Sequence, residues 1–137
     1  MVPTEGLNHM LSVTLKNGTP VPQWYVGLFK GDYTPDATVT AATLPALATE
    51  CTSYSEATRV PLTLGAVSGG AASNASNLAE FTFAAAETVR GAFIVSAPAK
   101  GATSGTVLSV VKFPSPRVMG AGSVLRVFAG PTGASLS

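Results

Sequence analysis

The sequence predicts an all-β fold, an antiparallel β-sandwich of the jelly-roll type, and three observations lead to this fold class. The chain of 137 residues is punctuated at short intervals by 14 Gly and 10 Pro. Short runs rich in Val, Phe, Leu and Thr lie between these turn formers, which is the pattern of an all-β domain. The carboxy-terminal runs are evenly spaced and joined by loops, which favours a sandwich or a jelly roll. An immunoglobulin-like sandwich is the alternative, although its Cys-Trp-Cys signature is absent.

Seven strands are predicted along the chain. The run at 79–85 alternates, with Phe81 and Phe83 on one face and Glu80 and Thr82 on the other, as expected for a strand half in water. The runs at 91–97 and 106–113 are apolar on both faces, and strands of this kind are covered on both sides. The seven predicted strands cover residues 10–15, 23–30, 58–64, 79–85, 91–97, 106–113 and 123–129.

One short helix is predicted in the long connection between the second and third strands, within the segment 43–54. Thr43 can cap a helix, and Pro45 is tolerated in a first helical turn. Three apolar residues then recur at helical spacing, namely Leu44, Leu47 and Cys51. The segments 98–105 and 114–122 are predicted to be loops between the last three strands.

The chain is predicted to form a single β-sandwich domain over residues 1–137, with residues 1–9 as a flexible amino-terminal arm. A domain of this length can bury enough surface to fold without disulfides or metal. Pro3 and Gly6 are expected to keep the start of the chain irregular. Leu7, Met10 and Leu11 supply apolar anchors, and such a segment can lie across a neighbouring chain and become ordered only there.

The composition indicates which partners to expect. Hydrophobic residues make up 46% of the chain and charged residues 11%, less than half of the roughly 25% that is usual in soluble domains. We therefore expect much of the surface to face other protein, in a homo-oligomer that is a dimer or a trimer. The net charge of +1 is spread thinly, so nucleic acid and membranes are not expected as partners. No secretory signal or membrane-spanning stretch is found, and we expect a soluble protein made in a cytoplasm.

No catalytic or metal site is predicted from the residue types and their spacing. The only histidine, His9, lies beside no catalytic motif, and the only cysteine, Cys51, is expected to be a small buried residue. Asp32 and Asp36 place two oxygen donors on one loop, but calcium needs several more, so a plain turn is expected. We predict a protein that is not an enzyme and that has no cofactor.

Two further segments carry expectations about packing. Arg59 lies at the entry to an apolar strand, with Glu56 just before it. We expect a structural pair between them, or a contact of Arg59 with a neighbouring chain. The segment 23–33, "QWYVGLFKGDY", holds the only tryptophan and is apolar on both faces. Trp24 is therefore expected to pack inside the sandwich, and Tyr33, beyond the turn, to remain free for a contact.

The order and spacing of four stretches resemble those of small tailed-bacteriophage virion proteins. These stretches are "WYVGLF", "YSEATR", "EFTF" and "GAFIVSAPAKGATSGTVLSVVKF", and the resemblance runs from about residue 7 to about residue 128. Within that group the chain is most similar to the jelly-roll capsid cement or decoration proteins of short-tailed phages. The resemblance implies that aromatic residues and Arg59 are scaffold positions, that no catalytic residue is present, and that the protein lies on the outer surface of the capsid. The implied scaffold positions are Trp24, Tyr25, Phe29, Tyr54, Arg59, Phe81, Phe83 and Phe93.

Two functions are kept open. The leading hypothesis is a structural virion protein that binds the major capsid protein and copies of itself and so stabilises the phage head. The alternative is a binding module of a phage tail or head fibre that recognises a host-surface glycan through exposed aromatic residues. The candidate partner contacts are Leu7, Met10 and Leu11 near the start of the chain, together with Tyr33, Tyr54 and Arg59.

Overall fold

The chain folds into antiparallel β-sheets with two helices, and the computed structural model describes residues 1–130. The predicted all-β, sandwich-like fold is confirmed, while the jelly-roll arrangement stays a prediction. The elements in chain order are α1 (Thr4–Leu15), β1 (Tyr25–Phe29), α2 (Leu44–Ala48), β2 (Glu50–Cys51), β3 (Val60–Pro61), β4 (Ala79–Thr82), β5 (Glu87–Val95), β6 (Val107–Met119) and β7 (Val124–Val127).

The larger sheet, here called the main sheet, has the strand order β2-β1-β5-β6, and β3 also pairs with β1. Its centre is the antiparallel pairing of β1 with β5, in which Gly27 lies opposite Phe93 and Phe29 lies opposite Gly91. A Cβ on either glycine would collide with the aromatic ring across from it. Each ring therefore lies over a glycine of the neighbouring strand, and this arrangement pins the register of the two strands.

Both faces of the main sheet are covered near its centre. On one face, Val26 and Leu28 pack with Phe81 and Phe83 of the segment that contains β4, which pairs with β7 in a two-stranded sheet, here called the minor sheet. On the other face, aromatic and aliphatic side chains of β1, β5 and β6 pack against the connection that contains α2. The predicted alternation in the run at 79–85 is confirmed, because Ala79, Phe81 and Phe83 are buried while Glu80 is exposed.

The predicted short helix is confirmed as α2, which buries Leu44 and Ala48. It is shorter than the spacing of Leu44, Leu47 and Cys51 predicted, because Cys51 belongs to β2, and Leu47 is exposed. It ends at Thr49, whose φ of 55° is left-handed, and β2 follows directly. A second helix, α1, was not predicted. It replaces the strand expected at residues 10–15, so that part of the sequence prediction is wrong.

The predicted loop at 114–122 is also wrong, because β6 continues through Pro114 and Pro116 to Met119. β6 is the last strand of the main sheet. A proline has no N–H to donate, and an edge strand tolerates it because one side of the strand needs no hydrogen-bond donor. Trp24 lies just before β1 and is only partly buried, with its ring at 5.3 Å from that of His9 in an edge-to-face contact.

Candidate protein-binding surface

The first residues of the chain are attached to the main sheet. The Met1 amino group donates to the Val110 carbonyl of β6 at 3.0 Å, and the Val110 amide donates to the Met1 carbonyl at 2.9 Å. The Thr4 amide donates to the Ala37 carbonyl at 2.9 Å. The irregular arm predicted for residues 1–9 is therefore wrong, because its backbone groups find partners on β6 and on the connection before α2, and α1 begins at Thr4.

Two residues in the first turn of α1 fix its position. Oε2 of Glu5 accepts hydrogen bonds from the backbone amides of Ala41 at 2.9 Å and of Val107 at 2.7 Å. Gly6 is buried, and a Cβ at this position would lie 2.5 Å from the Leu108 carbonyl oxygen. Only glycine lets the helix approach β6 this closely, so α1 is held by its amino-terminal turn.

The outward side of α1 carries four exposed apolar side chains, here called the α1 stripe: Leu7, Met10, Leu11 and Leu15. Their spacing of three and four residues places them on one face of the helix. Leu11 is 54% exposed and Leu15 is 71% exposed. The helix has no Asp, Glu, Lys or Arg between Leu7 and Leu15. An uncharged apolar face of this kind is typical of a surface that another protein covers.

An apolar groove, here called the inter-sheet groove, opens beside α1 between the main sheet and the end of β7. Its volume is about 380 Å³. None of its lining residues is charged, and the hydroxyl of Ser109, its one polar side chain, donates to the Met1 carbonyl at 3.2 Å. The lining residues are Val2, Met10, Val26, Ala92, Phe93, Ile94, Leu108, Ser109, Val111, Phe113, Val127, Phe128, Ala129 and Gly130.

The groove is open because the two sheets differ in size. β4 and β7 have four residues each, whereas β6 has 13 residues. The minor sheet therefore covers only part of the main-sheet face, and Val111 stays exposed beyond it. Phe128, directly after β7, is 62% exposed at the opposite wall.

The α1 stripe and the inter-sheet groove form one continuous surface, here called the apolar patch, because Met10 belongs to both. Leu7, Met10 and Leu11, which were predicted as partner contacts, are all exposed on this surface. Phe128 and Val111 also lie on it and were not predicted. The sequence contained a signal for Phe128. In the strand predicted at 123–129, Phe128 lies two residues after Arg126, so the two side chains share one face, and a face with an arginine is expected to be exposed.

A second groove of about 430 Å³ adjoins the first and has a different chemistry. It lies between β7 and the proline-containing half of β6, and it shares Phe113, Val127 and Phe128 with the inter-sheet groove. Its lining includes two arginines, Arg117 and Arg126. Arg126 pairs with Glu80 at 3.1 Å, whereas Arg117 has no ion-pair partner among residues 1–130.

Arg59 lies in the interior and contacts no free surface, being 1% exposed. Its Nη2 and Nε donate to the two carboxylate oxygens of Glu50 at 2.6 and 2.9 Å. Nη1 donates to the Ala97 carbonyl at 3.0 Å, and Nη2 donates also to the Ala102 carbonyl at 3.2 Å. The expected pair with Glu56 is wrong, since β2 and β3 lie along the same edge of β1 and bring Glu50 to the arginine instead. A contact of Arg59 with a neighbouring chain is likewise contradicted by its burial.

The two tyrosines proposed as contacts are held within the chain. Tyr54 is 3% exposed, and the Lys100 ammonium lies 4.1 Å from the centre of its ring. Burial raises the pKa of Tyr54. Tyr33 is half-buried, packs edge-to-face on Phe29, and has a buried hydroxyl. Tyr54 therefore cannot serve as a surface contact, and Tyr33 offers only part of its ring.

The acidic loop forms internal contacts, as the prediction of a plain turn requires. Asp36 accepts hydrogen bonds from the Thr38 amide at 2.8 Å and the Thr38 hydroxyl at 2.6 Å. Asp32 pairs with Lys112 at 2.6 Å, and this hydrogen bond lowers the pKa of Asp32. Within residues 1–130 no three His, Cys, Asp or Glu side chains converge where they could hold a metal ion. Cys51 is buried, as predicted.

Comparisons with known proteins add no family. No protein-family model matches the chain, and no curated protein is significantly similar to it. Neither of the helices in the described part of the chain has the length and apolar character needed to cross a membrane.

Proposed function

We propose that this chain is a structural virion protein of a tailed bacteriophage, a capsid cement or decoration protein that binds the major capsid protein and copies of itself on the outer surface of the head. The observation that carries the proposal is the apolar patch, a continuous uncharged surface formed by the α1 stripe and the inter-sheet groove. Soluble monomers rarely leave large apolar patches uncovered. The sequence resemblance to phage decoration proteins supplies the setting in which such a surface would be covered.

The two adjoining grooves support a protein with two kinds of contact. The inter-sheet groove has no charged lining residue, whereas its neighbour has Arg117 and Arg126 on its walls. Copies of one chain can meet through an uncharged surface, while the arginines can pair with carboxylates of a different protein. In a lattice, contacts that are individually weak add up through multivalency.

The alternative, a tail or head-fibre module that recognises a host glycan, finds less support. Its proposed contacts were Tyr33 and Tyr54. The ring of Tyr54 is buried, and the hydroxyl of Tyr33 is buried. Neither side chain presents the open aromatic face on which a sugar could stack.

Fractionation of phage particles tests the proposal. Heads that lack tails are purified from an assembly-defective lysate of the phage that encodes the chain, and the chain is quantified per head. A decoration protein stays with tail-less heads in many copies per head. If the chain is lost together with the tails, the proposal is wrong and the fibre alternative gains support.

A further inference from the structure

The chemistry of the apolar patch restricts what can cover it. The α1 stripe has no charged residue, the groove has none among its lining residues, and the Ser109 hydroxyl in the groove already has an acceptor. A charged segment would lose its hydration in the groove without gaining a partner. The occupant must therefore be apolar and uncharged. The α1 stripe of a second copy has this character and has the shape of a helix face, which is the element that apolar grooves commonly accept.

The layout of the patch also indicates a symmetry. Met10 lies on the α1 stripe and at the same time lines the inter-sheet groove, so helix and groove are neighbours on one surface. A two-fold interface requires that a single patch meets its own copy, with every contact made twice. A helix of 12 residues is about 18 Å long, and reciprocal seating would double the surface that one such helix covers.

We propose that two copies of this chain associate about a two-fold axis, with the α1 stripe of each copy seated in the inter-sheet groove of the other. This inference rests on the self-association part of the proposed function and names the surface that performs it. It concerns the isolated protein and does not require a capsid.

The test is sedimentation velocity of the full chain and of three variants over a range of concentrations. Leu11→Glu places a negative charge on the stripe, and Phe128→Lys places a positive charge in the groove. Val67→Glu is the matched control, because Val67 is 80% exposed and lies outside the patch. All three positions are exposed, so the variants should keep the wild-type melting temperature at low concentration.

The wild type and Val67→Glu are expected to form dimers with equal affinity. Leu11→Glu and Phe128→Lys are each expected to weaken dimerisation on the order of a hundredfold, about tenfold for each of the two repeated contacts. A wild type that stays monomeric over the whole concentration range overturns the proposal. A trimer also overturns it, as does equal weakening by Val67→Glu.

Mixing the two variants tests the reciprocal seating itself. In a mixed pair, the altered stripe meets the altered groove, so that a carboxylate faces an ammonium, and the unaltered stripe meets the unaltered groove. One contact is fully restored and the other joins opposite charges, so the mixture should associate at least about tenfold more tightly than either variant alone. If the mixture associates no better, the helix does not seat in the groove of its partner.

The outcomes separate this inference from the proposed function. A dimer in solution that does not stay with phage heads keeps the two-fold pair and removes the capsid role. A chain that decorates heads but sediments as a monomer keeps the capsid role and removes the pair.

Discussion

Replacing Arg59 with methionine should destabilise the fold severely. The guanidinium donates two hydrogen bonds to Glu50 and one each to the carbonyls of Ala97 and Ala102. The side chains of Arg59 and Glu50 are 1% and 3% exposed. After Arg59→Met the Glu50 carboxylate stays buried, with the Gly101 amide at 3.1 Å as its remaining donor.

The magnitude follows from this geometry. Removing one partner of a buried ion pair costs about 3–5 kcal/mol, because a charge is left uncompensated. We expect a loss of about 4 kcal/mol in the free energy of unfolding. This is a large share of the roughly 5–15 kcal/mol that stabilises a domain. Replacing both partners, Arg59→Met with Glu50→Leu, should cost less than the sum of the single changes, because no unpaired charge remains.

Equilibrium urea denaturation at one fixed protein concentration measures these losses. The matched control is Arg126→Met, which breaks the pair with Glu80 on the surface, where the two side chains are 59% and 54% exposed. A surface pair of this kind contributes about 0–1 kcal/mol. If Arg59→Met lowers the free energy of unfolding no more than Arg126→Met does, the buried ion pair does not stabilise the fold as we argue. Arg59 would then need a role other than this ion pair.

Three further predictions concern α1 and two titrating groups. Gly6→Ala should lower the free energy of unfolding by about 1–3 kcal/mol in the same urea assay, because the added Cβ collides with a carbonyl of β6. The control Gly65→Ala should change it by no more than about 0.5 kcal/mol, because that Cβ meets no close neighbour. Equal effects of the two variants would contradict the close packing of α1 on β6. Lys112→Met should raise the pKa of Asp32 toward its ordinary value of 3.8 in an NMR titration. In the wild type, the small contribution of Asp32 to folding stability is present above the ordinary pKa and is lost as the pH falls through the lowered pKa. If the pKa of Asp32 is the same in Lys112→Met as in the wild type, Lys112 is not the cause of the shift. Burial raises the pKa of Tyr54 above its ordinary value of 10.0, so the contribution of Tyr54 to folding stability is complete below pH 10.0 and is lost as the pH rises through the raised pKa. The phenolate absorbance of Tyr54, obtained as the difference between the wild type and Tyr54→Phe, should appear only when the protein unfolds at alkaline pH. Phenolate absorbance in the folded protein would contradict the burial of this side chain.

Most strands of the two sheets were predictable from two patterns in the sequence, although β2 was not predicted. The central strands of the main sheet are apolar on both faces, and β4, which is buried on one face, alternates. Phe81 and Phe83 lie at alternate positions with Thr82 between them, and the structure buries both rings. α1 was missed for a related reason. Within residues 10–15 alone, Leu11, Val13 and Leu15 alternate as in a strand, and the helical spacing becomes visible only when Leu7 is included.

The ion pair and the groove could not be predicted because both depend on the tertiary arrangement. Glu56 is three residues from Arg59 in the sequence, whereas Glu50 is nine residues away and reaches it because β2 and β3 share one edge of β1. The groove depends on the minor sheet being too short to cover Val111. No local pattern encodes that difference in sheet size. The exposure of Leu7 and Leu11, by contrast, was inferred from apolar residues at the start of the chain, although they were expected on an arm and lie on a helix.

The central claim, that the chain decorates a phage head, is tested most directly by imaging virions that carry a tagged copy. A tag inserted between Gly69 and Gly70, in an exposed turn outside the α1 stripe and the inter-sheet groove, adds density without covering the apolar patch. The account predicts tag density at symmetry-related positions across the outer surface of the shell. Density confined to a single vertex, the tail or a fibre would contradict it.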